Sequence, residues 1–238
     1  MKKSFLIIFI LTVFCISSCD VFKRENLRSF VWAYYEADGV HAYERSDGNI
    51  ALSYTDTKIV CDWKSKKQQK ELYDSLCYAH NDMTYNKTIL YFISPDAIDA
   101  AELSVNDIVS INVVSNTDFD EQHPAWTSLN DIIRFVGISV SEYLQSNYTY
   151  QYYWDDKQDS LIVGYPYHSP VNKLLSEMTA EDFRFLTPVI GVLHFEKEPT
   201  VSKKHGLTIT IKFDNGKVIV AHSMVGDSKK STITKVFE

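Results

Sequence analysis

Hydrophobic positions follow three regimes along the chain: contiguous from Phe5 to Ile16, alternating in short runs from Phe30 onward, and recurring at helical spacing in two places. Phe30, Trp32 and Tyr34 alternate with Val31, Ala33 and Tyr35. Both faces are therefore apolar, which predicts a strand covered on both sides that stops near Asp38-Gly39. Residues 50–54 and 58–63 are the next strand candidates, set off from the first by turn chemistry at Ser46-Asp47-Gly48-Asn49. In the later one Ile59, Cys61 and Trp63 share a face. Residues 88–93 and 108–114 add two more strands, joined by Ser94-Pro95 and a short helical piece over 96–103.

The period changes over 64–80. Leu72, Tyr73, Leu76, Cys77 and His80 form one helical stripe, with Lys66, Lys67, Gln69 and Lys70 on the other side. His80 would sit at the end of this helix, where a cation suits the C-terminal dipole. A second helix is expected from Ser128, with Leu129, Ile132, Ile133 and Val136 on one face, Asp131 near its cap and a kink at Gly137. Ser139 and Glu142 repeat the capping-box pattern ahead of Tyr143 and Leu144.

Tyr148, Tyr150, Tyr152, Tyr153 and Trp154 make up the most aromatic stretch. As a strand it would put Tyr148, Tyr150 and Tyr152 on one face, either packed under the preceding helices or, with Trp154, offered to a sugar or a partner surface. Near the C-terminus, Leu207, Ile209, Ile211 and Phe213 alternate with polar residues up to Asp214-Asn215-Gly216-Lys217. A two-residue type I′ turn there would set Phe213 opposite Val218 and Ile209 opposite His222, placing His222 on the core side. Residues 189–196 are expected to add a strand beside this hairpin, with Leu193 and Phe195 inward.

The leader carries the most specific signal. Lys2 and Lys3 precede the short apolar run, which ends in Ile16-Ser17-Ser18-Cys19. That order resembles the signal and lipobox of bacterial lipoproteins. The resemblance implies cleavage before Cys19, a diacylglycerol on its sulfur and an anchored, non-spanning mature protein. It divides the chain into a signal peptide at 1–18, a tether at 19–28 and a single domain at 29–238. The body, with its Asp118-Phe119-Asp120 loop, Ser128-Leu129-Asn130-Asp131 segment and closing hairpin, resembles uncharacterised exported lipoproteins of gut-type anaerobes, a likeness that implies no site residues.

Charge and cysteines narrow the partners. The 24 basic and 31 acidic groups give a net charge of −7, which becomes −9 once Lys2 and Lys3 leave with the leader. Such a surface repels phosphate backbones, so nucleic acid is not an expected partner. Of the four cysteines, Cys15 departs with the leader and Cys19 is taken by lipid. Cys61 and Cys77 remain, and an oxidising compartment favours their pairing as a disulfide. A metal site from Cys61, Cys77 and His80 lacks a fourth ligand. Asp118, Asp120 and Glu121 lack the glycine and distant glutamate of a calcium loop and read as a solvated loop beside His123. Nucleophile-elbow, zincin, phosphate-loop and dinucleotide motifs are absent from the sequence, and no metal or cofactor is expected.

The expectation is an α+β single domain, mainly antiparallel sheet with two helical regions packed on it, lipid-anchored in the cell envelope at the outer membrane. Its expected role is that of a non-enzymatic binding or assembly module for glycan or another envelope protein. The alternative is an envelope hydrolase using an unlocated carboxylate pair.

Overall fold

The computed structural model of the chain describes residues 23–91, 101–153 and 164–226, and strands dominate it. Within the segment expected as a tether, β1 (Lys23–Leu27) is already a strand, and Leu27 is buried. β2 (Val31–Glu44) and β3 (Ile50–Asp62) pair as a long antiparallel hairpin. β2 runs through Asp38-Gly39 without turning. Gly39 lies opposite Thr55, and a Cβ there would collide with Thr55 Oγ1, so the glycine permits close strand approach. The chain turns instead over 45–49, where Arg45 N–H donates to the Asn49 carbonyl (2.8 Å) and Gly48 takes a φ of +80°. Residues 50–54 and 58–63, expected as two strands, are therefore one.

α1 (Gln68–Ala79) packs its Tyr73 and Cys77 face against β2 and β3. β4 (Lys87–Tyr91) pairs with β1. β5 (Ala101–Ser104) runs parallel to the start of β2, so Ala101 to Leu103 sit in a strand and not in the expected helical piece, whose residues 96–100 lie outside the described residues. β6 (Ile108–Ser115) is followed by β7 (Ile133–Ser139) where a helix was expected. Leu129, Ile132, Ile133 and Val136 do satisfy helical spacing, but Ile133 to Ser139 finds hydrogen-bonding partners on both sides, and an apolar run buried on both faces suits a central strand better. Gly137 lies mid-strand, with the Phe135 ring where a Cβ would go.

α2 (Ser141–Gln145) is a single short turn without the expected Ser139–Glu142 box; Ser139 Oγ accepts from Ser141 N–H (3.0 Å) and donates to the Arg184 carbonyl (2.7 Å). β8 (Ser169–Leu174), β9 (Gly191–Phe195), β10 (His205–Phe213) and β11 (Val218–Val225) complete the described strands, and two 3-10 turns, Leu175–Glu177 and Ala180–Phe183, lie between β8 and β9. β9 does not flank the final hairpin as expected but lies between β3 and β7, with Leu193 buried.

The strands form a six-stranded sheet in the order β5-β2-β3-β9-β7-β8, a three-stranded sheet β11-β10-β6, and the β1-β4 pair. The two larger sheets share a core made of Val40, Ile50, Leu52, Phe135 and Leu193 on one side and Ile111, Val113, Leu207, Ile209, Ile211 and Ile219 on the other. Burying each such side chain contributes about 1.5–3 kcal/mol. A second cluster lies where β2 begins, under α1 and α2, and is rich in rings: Phe30, Tyr34, Tyr73, Tyr85, Tyr143 and Phe185. Phe30 meets the edges of Tyr85, Tyr143 and Tyr167 at 4.8–5.4 Å. Among the described residues no helix is long and apolar enough to cross a membrane.

The closing hairpin is present, but one residue out of the expected register. Lys212, not Phe213, pairs with Val218, and Ile209 faces Ala221. Phe213 N–H donates to the Lys217 carbonyl (2.9 Å), Gly216 N–H to the Phe213 carbonyl (3.0 Å), and Gly216 adopts a φ of +86°. This is a three-residue loop with a left-handed glycine instead of a two-residue turn. A shift of one residue exchanges the faces of a strand. Ile219, Ala221 and Ser223 are therefore buried, and His222, expected on the core side, is exposed.

Candidate functional site

The register shift determines what the outer face of the three-stranded sheet displays. Its residues stand in cross-strand rows: Asn112–Thr210–Val220, Val114–Thr208–His222, and Gly206 beside Met224. Asn116 extends the last row, donating its N–H to the Gly206 carbonyl (2.9 Å) and accepting Gly206 N–H at Oδ1 (2.8 Å). A side chain on Gly206 would fall within 2.7 Å of Asn116 Nδ2, so this glycine holds the amide in place.

At the end of these rows Trp126 stands 66% exposed on the loop between β6 and β7. Its φ is +67°, a left-handed conformation that is unusual for a bulky side chain and costs on the order of 1–3 kcal/mol. The loop is built to hold it. Trp126 N–H donates to the Ser115 carbonyl (2.7 Å), Ala125 N–H to Asp118 Oδ1 (2.7 Å), and Thr127 Oγ1 to the Pro124 carbonyl (2.6 Å). Phe119, expected in a solvated loop, is buried and stacks on Phe195 with ring centres 5.7 Å apart.

His123 is also inside. Its Nδ1 is 2.7 Å from Asp120 Oδ1 and its Nε2 is 3.1 Å from Asp131 Oδ1. Only the imidazolium can donate at both nitrogens. Burial alone would push this imidazole's pKa down, but hydrogen bonds and charge from Asp120 and Asp131 outweigh it and hold the pKa above its ordinary value. Asp131, expected three residues beyond the cap of a helix opened by Ser128, instead ties the loop to the start of β7. Beneath the loop His205 is fully buried; its Nε2–H donates to the Ser202 carbonyl (2.8 Å), which leaves Nδ1 to accept from Ser115 or Thr117.

Trp126, Asn116, Thr208, His222 and Met224 enclose a groove of about 350 Å³ over Gly206 and Leu207. Its lining holds no carboxylate and no lysine or arginine, and it is mostly apolar with an amide, a hydroxyl and an imidazole at the rim. Thr208 Oγ1 and His222 Nδ1 lie 3.3 Å apart across the strands. A smaller cavity of about 160 Å³ lies between Glu36, Ser104, Asn106 and Lys217. Neither brings two carboxylates together.

The residues singled out from the sequence lie elsewhere. Tyr148 is not in a strand: Asn147 and Tyr148 both take left-handed backbone (φ +54° and +63°), which ends any alternation of faces. Its hydroxyl donates to Asp82 Oδ1 (2.8 Å), and its ring meets the edges of Tyr85 and Tyr143. Asp82 is fully buried and also accepts Phe30 and Val31 N–H (both 2.7 Å); burial nevertheless pushes its carboxyl above the ordinary range. Tyr150 is half-buried, its hydroxyl pushed up to about 12 by burial and by its hydrogen bond to Glu142. Tyr152 N–H donates to the Pro166 carbonyl (2.7 Å), and Tyr153 is exposed. Trp154 and Cys19 lie outside the described residues.

Cys61 on β3 and Cys77 on α1 both reach the second cluster, where they are free, buried thiols. Burial, reinforced by Cys77, pushes the Cys61 thiol up to about 11, and burial raises Cys77 as well. His80 does not serve as a cation at the helix end. Burial, with Arg184 nearby, holds it down to about 4, so it is neutral and shares a 3.0 Å hydrogen bond with Tyr34. Among the described residues no group of three or more His, Cys, Asp or Glu side chains is arranged so that it could hold a metal ion.

Trp126 was not singled out from the sequence. The signal available was an aromatic outside any periodic run, in Pro124-Ala125-Trp126-Thr127 directly after the polar stretch Asp120-Glu121-Gln122-His123. Comparison with protein-family models, with curated proteins and with solved structures finds no match.

Proposed function

We propose that the chain is a lipid-anchored envelope protein whose body, one α+β domain that already includes β1 ahead of the expected boundary at 29, acts as a non-enzymatic binding module through the Trp126 groove. The observation that carries this reading is the exposed indole held on a left-handed backbone by a loop with buried Phe119 and His123 beneath it. A surface ring kept at a backbone cost is what a contact residue requires, since rigid aromatic anchors supply most of the energy of many interfaces. In this reading Cys19 carries the lipid at the outer membrane, and Cys61 and Cys77, free thiols in the structure, are oxidised to a disulfide after export.

Three measurements test it. Cells grown with a clickable palmitate analogue should label the wild-type chain and not Cys19→Ala; equal labelling refutes the anchor. Mass spectrometry of non-reduced, alkylated peptides from exported protein should find those of Cys61 and Cys77 linked, whereas two alkylated thiols exclude the pairing. The detergent-solubilised full chain should be retained on detergent-extracted envelope residue, with Trp126→Ala reducing retention about tenfold. Unchanged retention removes the groove from the reading.

A further inference from the structure

The chemistry of the groove narrows its ligand. It offers one broad, exposed aromatic face, a mostly apolar floor and, within the same rim, the Asn116 amide, the Thr208 hydroxyl and the His222 imidazole. A purely apolar ligand would leave these polar groups without water or partners, which is unfavourable. An anion would find no counter-charge in the lining and an acidic protein around it, with a net charge of −7 over the whole sequence, and a cation would find no carboxylate in the lining to pair with. The ligand class that remains has an apolar face, a hydroxyl-bearing edge and no charge.

The shape agrees. The rows around the groove are in unbroken register, Val114–Thr208–His222 next to Gly206 and Met224, with Trp126 beside them in the lining. Gly206 presents no side chain, and the space a Cβ would take is filled by the Asn116 amide, which sets that polar group at the groove beside the ring. About 350 Å³ is at the small end of ligand sites and suits one or two ring-sized units of a longer chain that continues over the sheet.

We propose that this groove takes a neutral carbohydrate, with one pyranose ring lying against the Trp126 indole and its hydroxyls met by Asn116, Thr208 and His222. The proposal rests on the binding-module reading and names the ligand of that same groove. Because neither side is charged, the interaction is nearly independent of salt.

The test uses the full-length chain in detergent on an array of neutral oligosaccharides: α- and β-glucans, mannans, xylans, galactans and N-acetylhexosamine oligomers. The wild type should bind at least one class with an affinity that holds from low to high salt. Trp126→Ala should weaken this about tenfold or more, while Trp126→Phe, which keeps a ring, stays within a few-fold of wild type. His222→Ala should weaken it by less than Trp126→Ala. Circular dichroism checks that each variant is folded. Failure of the wild type to bind any class, or binding that Trp126→Ala leaves intact, overturns the proposal. The underlying reading fails separately: if no glycan binds but retention on envelope residue still depends on Trp126, the groove is a binding site for something else. If neither depends on Trp126, both are wrong.

Discussion

The two ends of the molecule treat aromatic residues in opposite ways. Under α1 and α2, rings crowd together: Phe30 contacts Tyr85, Tyr143 and Tyr167, and Tyr148 closes the set by bonding buried Asp82. On the outer face of the three-stranded sheet a single ring, Trp126, stands in solvent on a loop whose hydrogen bonds and His123 ion pairs support its backbone. Density of aromatics therefore marks a region filling itself. One exposed ring held in an unfavourable backbone conformation marks a surface kept for contact.

The contrast breaks hardest at Asp82. Replacing it with Ala leaves two buried backbone N–H groups and the Tyr148 hydroxyl without an acceptor, a loss of about 3 kcal/mol or more. The expected drop in melting temperature is about 6–12 °C by calorimetry. Envelope retention at a temperature where the variant is folded should be unchanged, since the ring cluster is not the contact surface.

Next comes His123, through pH. Its folded pKa is raised, so its stabilisation is fully present below about 6.5 and is lost as pH rises through the folded value. His80 and His168 act oppositely: burial holds both down to about 4, so their contribution is present above about 6.5 and is lost as pH falls toward 4. Melting temperature should therefore decline on both sides of an optimum. His123→Gln should flatten the alkaline decline by a few degrees and leave the acid side in place. An unaltered alkaline side would show that the imidazolium does not hold the loop.

Trp126→Gly separates stability from contact. Glycine accepts the left-handed backbone, so urea unfolding should show stability unchanged or raised by about 0.5–1 kcal/mol, while retention is lost. A clear destabilisation would mean that the indole is part of the packing after all. The smallest effect is at His222, where Ser should change stability by less than about 0.5 kcal/mol, as for an exposed site. In the two-residue register the same change would put a polar group into the core.

His222 also shows what could be read from the sequence. The alternation from Leu207 to Phe213 and the Asn-Gly turn signal are local, and the hairpin they predict is there. Its register is not local: two- and three-residue loops use the same Asp214-Asn215-Gly216 chemistry, and packing of Ile219 and Ala221 against the core decides between them. The segment from Leu129 to Val136 fits helical spacing equally well, and only partners supplied by distant β8 and β9 make it a strand. At the site, neither the burial of His123 by Asp120 and Asp131 nor the exposure of Trp126 follows from spacing, because both depend on how one loop closes over another strand. The helix of 64–80 was legible because its stripe and its core-facing Cys77 need only α1 itself.

The early start of β1 has a mechanical consequence. Lys23, the fourth residue after Cys19, already belongs to a strand, so an acyl chain on Cys19 would hold the body by a leash reaching no more than about 14 Å. A body moored that short cannot roam. It would meet only what arrives at the lipid surface, and so would work as a fixed mooring post and not as a collector sweeping the surrounding space.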